Sequence, residues 1–517
     1  AKHAVSAYKY KNPKIDVISD KNNILNDISI GRKPFNDKLG IFKIPALYIE
    51  RDIAKDILRD FAKGDFFVIQ GRRFSGKTYL ISYILQHVPA YDKFIFPSDI
   101  SFDDIFVESL LENAENSIFI FDSNSITPSI YTLLLQKKDY ISRSQNKVVI
   151  MTNTNEDFLI AKLKAKYYQI KNTFSGSEID EFNVKADKLA FVQRKKNQTN
   201  LEYSYILLKQ QNMDMRYIPN DISQFTLNEQ TILFMLCVFD KVYTHEALEM
   251  DIKISEVERF TKEYSILFEY LDCDPNEAYG KSVRKVVHNS RSILLNLIRE
   301  MTKEDVLNVI RSIISNLYLY DKENYKAAMM FDTLNQLFSQ DGAGYLIEYI
   351  YEGLEDVLYR EPHFWLQRAK SIYRLFRNDK KKLLVAATYA QKAMYDSDIN
   401  GNRNINLYLK SEFSAALIYC MLYNIEENSD KQNEYQIKSI QMIHEVLVSP
   451  DHHYIPNSIH SDITYRESAF NNIKSMCEQF ISPENKEKHS VIVDNSIDII
   501  KKLAEMRKEY QSNILTI

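Results

Sequence analysis

Short apolar runs at 66–69, 94–96, 118–121, 148–151 and 167–170 alternate with stretches of helical period. Apolar blocks of this length, bounded by polar turns and spaced by helices, predict a parallel sheet sandwiched between helices. Ahead of them, residues 1–45 are rich in Lys, Asn and Asp with little periodicity and read as an arm or linker. After them, Ser175-x-x-Glu178 is a capping box that opens a helix with Ile179, Phe182, Ala186 and Leu189 at helical spacing. A second box, Thr226-x-x-Glu229, starts the apolar helix 231–239, and helices at 245–250 and 255–270 then lead to a strand at 283–287. Beyond residue 300 the pattern is amphipathic helix throughout, with polar breaks near 340–344, 378–382, 398–404 and 428–433.

The first apolar run is followed at once by Gly71-Arg72-Arg73-Phe74-Ser75-Gly76-Lys77-Thr78, which is G-x-x-x-x-G-K-T, and then by a helical pattern from Tyr79. This is the context a phosphate-binding loop needs. Glycine at 71 and 76 permits φ > 0 and close approach, so successive backbone N–H groups from Arg72 to Tyr79 and the positive helix end can wrap a β-phosphate. Lys77 then reaches the β/γ oxygens and the Thr78 hydroxyl ligates Mg²⁺. The expected ligands are ATP or ADP with Mg²⁺. A glycine turn that binds nothing is the alternative, disfavoured by the flanking strand and helix.

Asp122 ends the run 118–121, where a P-loop enzyme holds the water shell of its metal, and is read as the second magnesium anchor. Ser123 follows it where a fast enzyme places a Glu, so hydrolysis is expected to be slow or conditional. The run 148–151 ends in Thr152-Asn153-Thr154-Asn155. Asn153 is the candidate sensor of the γ-phosphate, set against its reading as an ordinary polar turn.

Composition narrows the partners. The chain has 517 residues, 45% of them hydrophobic, enough for several domain cores, and a net charge of −4, which gives no global basic field for nucleic acid. Its four cysteines, Cys237, Cys273, Cys420 and Cys477, are isolated from one another and read as reduced core residues of a cytoplasmic protein. The longest clean apolar run, 232–239, is too short to cross a bilayer, so no membrane role is expected. The sequence opens at Ala1 without an initiator Met, which leaves room for a further domain upstream.

Before the loop, Tyr48-Ile49-Glu50-Arg51 leads into a helix with Ile53, Ile57, Leu58 and Phe61 on one face, ended by Gly64. With the strand and GRRFSGKT that follow, this resembles the start of the nucleotide domain of STAND-class P-loop NTPases. These are relatives of the AAA+ ATPases and include NLR immune receptors and bacterial anti-phage sensors of the Avs kind. The resemblance implies a nucleotide domain at 46–172 with Arg51 at the nucleotide, a helical lid at 173–222, a winged-helix domain at 223–300 and a helical sensor array at 301–517. Trp365, Ala369 and Ile372 precede Ala386, Ala390 and Ala393 by nearly the offsets of a tetratricopeptide (TPR) helix pair, and Ala415, Ala416, Tyr419 and Tyr423 are read as starting the next. His288, in Val286-Val287-His288-Asn289-Ser290-Arg291, stands where the class often carries a histidine that touches the β-phosphate in the resting state. The other reading of His288 is a packed core residue.

The resemblance further implies a signalling ATPase of bacterial defence: the array senses a foreign (phage) protein, ATP replaces ADP, and self-association, as a tetramer, activates an effector domain that is N-terminal or separate. No effector active site is legible in residues 1–44. Two departures stand out: no acidic residue follows Asp122, and no GLP-like motif is present unless Pro219 substitutes. An AAA+-like ATPase acting on DNA is the first alternative. It is disfavoured because its recognition helix, at 255–270, would carry Glu256, Glu258, Glu263 and Glu269 against Arg259 and Lys262. A STAND transcription regulator is the second, and it expects a C-terminal helix-turn-helix where 488–517 reads as one charged helix.

Overall fold

The computed structural model describes residues 11–31, 35–36, 41–61, 63–97, 102–122, 125–152, 163–216, 218–219, 222–272, 284–320, 322–338, 343–398, 404–449 and 455–514. The chain divides into two compact units, Ala1–Glu300 and Met301–Ile517.

In the first unit, strands β1 (Lys14–Ile18), β2 (Phe35–Asn36) and β3 (Ile41–Pro45) form a small sheet, with helix α1 (Lys21–Ser29) between the first two. Within the segment expected as an arm or linker, residues 14–18 and 41–45 are thus regular strands. β1 pairs in parallel with β3, Phe42 and Ile44 are buried, and Asn12 N donates to Lys93 O at 2.8 Å. Strands this short, paired only across a long chain separation, leave little periodicity to read.

The main sheet holds β4 (Phe66–Gln70), β5 (Asp92–Phe96), β6 (Ser117–Phe121), β7 (Lys147–Thr152) and β8 (Lys166–Gln169), all parallel, in the order β5-β6-β7-β4-β8. Every residue of β6 and β7 is buried, because helices cover both faces. One face carries Phe66, Val68, Phe96, Phe119, Phe121 and Ile150 into a core with helices α4 (Asp104–Asn113) and α5 (Pro128–Gln136). The other carries Phe67, Ile69, Ile120, Val149 and Met151 against α2 (Asp52–Asp60) and α3 (Lys77–His87). The short α6 (Lys138–Arg143) leads into β7. From β4 the chain jumps to the far edge, walks back through β6 and β7, and then crosses to β8. That reversal beside β4 opens a crevice at the carboxyl ends of the strands.

Helices α7 (Gly176–Lys188) and α8 (Asn200–Gln210) follow, each opened by a capping box, Ser175 with Glu178 and Thr199 with Glu202. A module of α9 (Leu227–Phe239), α10 (Thr244–Glu249), α11 (Ile254–Glu263) and α12 (Arg291–Arg299) then surrounds an antiparallel sheet of order β10-β11-β9, with β9 (Lys241–Tyr243), β10 (Phe268–Asp272) and β11 (Arg284–His288). The helix expected over 255–270 ends at Glu263, and its last residues belong to β10, where Glu269 pairs with Val287.

The second unit is helical: α13 (Lys303–Tyr320), α14 (Lys322–Met329), α15 (Phe331–Leu337), α16 (Ala343–Leu358), α17 (Pro362–Leu375), α18 (Lys380–Ser397), α19 (Ile405–Ile425), α20 (Ser429–Leu447), α21 (Asn457–Tyr465), α22 (Glu467–Phe480), α23 (Pro483–Lys488) and α24 (Ser490–Ile514). From α17 to α20 each helix packs on the next. The small residues Ala369, Ala386, Ala390 and Ala415 line those contacts and allow close approach. Ala415, Ala416, Tyr419 and Tyr423 all lie in α19. Cys237, Cys420 and Cys477 are free and buried, and burial pushes each thiol up to about 12. Cys273 lies outside the described residues.

Candidate functional site

The loop between β4 and α3 is shaped by close packing. A Cβ on Gly71 would lie 2.4 Å from Ile170 Cγ2 and 2.8 Å from the Ile170 carbonyl oxygen, so only glycine fits. Gly76, the residue before α3, has φ of +92°, open to glycine and strained for other residues. Phe74 also sits at positive φ, 63°, and its carbonyl accepts from Asn200 Nδ2 at 2.8 Å. Lys77 is buried and curls back over the loop, its Nζ donating to the carbonyls of Gly71 and Arg72. Thr78 Oγ1 stands 3.5 Å from Asp122 Oδ2. Two oxygen donors so placed suit a small hard cation that takes its remaining ligands from phosphate and water. Among the described residues the buried hydroxyls of Ser75 and Thr152 have no hydrogen-bond partner.

Arg51 lies under this loop. Its Nε donates to Glu178 Oε1 at 2.9 Å, Nη1 to Ser75 O at 3.0 Å, and Nη2 to Lys171 O and Thr173 O, each at 3.1 Å. Phe174 is shared by two cations, with the Arg51 guanidinium 4.8 Å and that of Arg194 3.7 Å from its ring centre. Burial pulls the Arg194 pKa down to about 10, helped by the positive charge of Arg51. Arg51 thus ties the loop to α7 and to the segment after β8. Tyr79 packs its ring 5.7 Å from that of Tyr48, and burial pushes its hydroxyl up to about 12.

A cavity of about 430 Å³ opens beside the start of the loop. Its walls are Gly71 and Arg72, residues 169–173 after β8, Thr199 and Glu202 at the head of α8, and residues 288–291. His288 and Arg72 of the loop thus line the same cavity, while Lys77, Thr78 and Asp122 are not on its wall. The imidazole Nε2 lies 3.4 Å from Asp240 Oδ1, and buried Nδ1 has no partner. Burial lowers the His288 pKa, the Asp240 carboxylate opposes that, and the positive Arg72 and Arg291 reinforce it. A second contact from the same module reaches the loop directly. The backbone N–H of Arg73 donates to Glu269 Oε1 at 2.7 Å, and Arg73 Nη1 donates to Ser265 O at 2.5 Å.

Asn153 and Ser123 lie outside the described residues. Glu178 was visible in the sequence only as a helix cap, and Arg194, Asn200 and Glu269 gave no sequence signal of a place at the loop. Among known proteins, no family model matches the chain and no curated protein matches it.

Proposed function

We propose that the first unit binds a nucleoside triphosphate with Mg²⁺ and uses it as a switch in a STAND-type signalling ATPase. One observation carries the reading: a parallel-sheet strand runs into a glycine-shaped loop and a helix N-terminus, with Lys77 in the loop and Thr78 beside Asp122 at 3.5 Å. Lys77 would exchange its two carbonyl partners for phosphate oxygens, Thr78 and Asp122 would hold the cation, and the loop N–H groups would orient the phosphates. The bound cation supplies charge neutralisation between phosphates. The module of α9–α12 and β9–β11 is read as a winged-helix domain that brings His288 to the nucleotide. The second unit is read as a TPR-like array that senses a foreign protein and drives self-association and effector activation.

Calorimetry of the full chain with Mg·ATP and Mg·ADP tests the nucleotide reading. Lys77→Ala is expected to weaken ATP binding about a hundredfold, since a hydrogen-bonded charge at a polyphosphate is lost. Wild-type affinity in that variant would reject this loop as the site.

A further inference from the structure

Glu269 belongs to β10, far from the loop in sequence, yet its carboxylate is the acceptor for a phosphate-loop amide, Arg73 N–H, at 2.7 Å. The side chain is buried at 8% exposure, and its second oxygen, Oε2, is buried without a hydrogen-bond partner. A half-satisfied buried carboxylate is costly unless positive potential holds it. Here the Arg73 N–H supplies it. Lys77 Nζ donates to the carbonyls of Gly71 and Arg72, so the loop holds the ammonium group on one side of the Arg72–Arg73 peptide and the carboxylate on the other. Arg73 Nη1 on Ser265 O fastens the loop to the turn before β10 as well.

We propose that Glu269 is the residue that sets the nucleotide preference of this loop. It takes the place of a terminal phosphate oxygen, so that the arrangement described here accepts a diphosphate, and a triphosphate must first expel the carboxylate. The inference rests on the nucleotide-binding reading. Its physics is like-charge exclusion: the carboxylate and a γ-phosphate compete for one N–H, and neither tolerates the other within contact distance. Expelling Glu269 removes one of the bonds between the loop and the β9–β11 module, which links the terminal phosphate to the position of that module.

The test is the ratio of dissociation constants for Mg·ADP and for Mg²⁺ with a non-hydrolysable ATP analogue, measured by calorimetry on the full chain. Wild type should prefer the diphosphate. Glu269→Ala should move the ratio toward the triphosphate by about tenfold or more, because the competing charge is gone. Glu269→Gln, which keeps shape and an acceptor oxygen but not the charge, should move it part of the way, and it decides the matter if the alanine variant does not fold. A ratio within about twofold of wild type in the folded variants would overturn the proposal. So would a glutamine variant that keeps the ratio and loses hydrolysis, which would make Glu269 a base instead. If wild type and Glu269→Ala both fail to bind either nucleotide, the nucleotide reading falls and this inference with it.

Discussion

Arg51 is 6% exposed and its ion-pair partner Glu178 is 5% exposed, so neither charge tolerates loss of the other. The same guanidinium reaches three carbonyls on two segments, which a single point charge such as lysine would not do with fixed geometry. Elsewhere, burial and the positive Lys326, Lys370 and Lys410 pull the His363 pKa from 6.5 down to about 4. Its folded-state pKa lies below the unfolded one, so the unfolded chain binds the proton that the folded chain refuses, and stability rises with pH between about 4 and 6.5. Acidifying from pH 7 to 5 is expected to lower the stability of the second unit by on the order of 2 kcal/mol at most. Denaturant melts of the 301–517 fragment at the two pH values measure this. His363→Asn should flatten the dependence, and an equally steep profile in that variant would assign it to another group.

At the level of elements, the two loop glycines are needed for different reasons, and this separates their variants. Gly71 has no room, since its Cβ would press on Ile170 Cγ2 at 2.4 Å and on backbone oxygen at 2.8 Å. Gly76 has room, with nothing nearer than 3.8 Å, but holds φ at +92°. Gly71→Ala is expected to displace β8 from the loop and lower the melting temperature of the first unit markedly while abolishing nucleotide binding. Gly76→Ala should cost only about 1–2 kcal/mol of backbone strain. Thermal melts followed by nucleotide titration rank the two, and the reverse order would contradict this packing. The strands at 66–69, 94–96, 118–121 and 148–151 were legible in the sequence because each is a continuous apolar block buried on both faces. β10 was not: Phe-Glu-Tyr-Leu-Asp follows a helix after one short turn, and its carboxylate extended the charge pattern of α11 until pairing with β11 decided otherwise.

Across the whole molecule, each of the two units has its own cores, one set around the parallel sheet and the other among α17–α24. Ligand that binds one folded unit stabilises that unit by mass action and leaves an independent one unchanged. Differential scanning calorimetry is therefore expected to resolve two transitions, with Mg·ATP at a hundred times its dissociation constant adding about 2.7 kcal/mol to the first unit only. A single transition that shifts as one would mean that the units unfold cooperatively. Among the described residues no helix is long and apolar enough to cross a membrane.

The sequence by itself determined what depends on neighbours along the chain: the buried strands, the capped helices and the glycine loop with Lys77 and Thr78, whereas the breaks expected at 378–382 and 428–433 fall partly inside α18 and α20. Each of these is a local pattern of burial or backbone freedom, repeated at a period that a short window can contain. Tertiary structure alone decided which strand lies beside which, that residues 14–18 and 41–45 form a sheet, that Arg51 closes on Glu178, and that Glu269 reaches the loop amide of Arg73. Those pairings join residues up to nearly 200 positions apart. A carboxylate carries the same composition and charge whether it caps a helix, faces water or accepts from a loop amide, so only the fold distinguishes these roles.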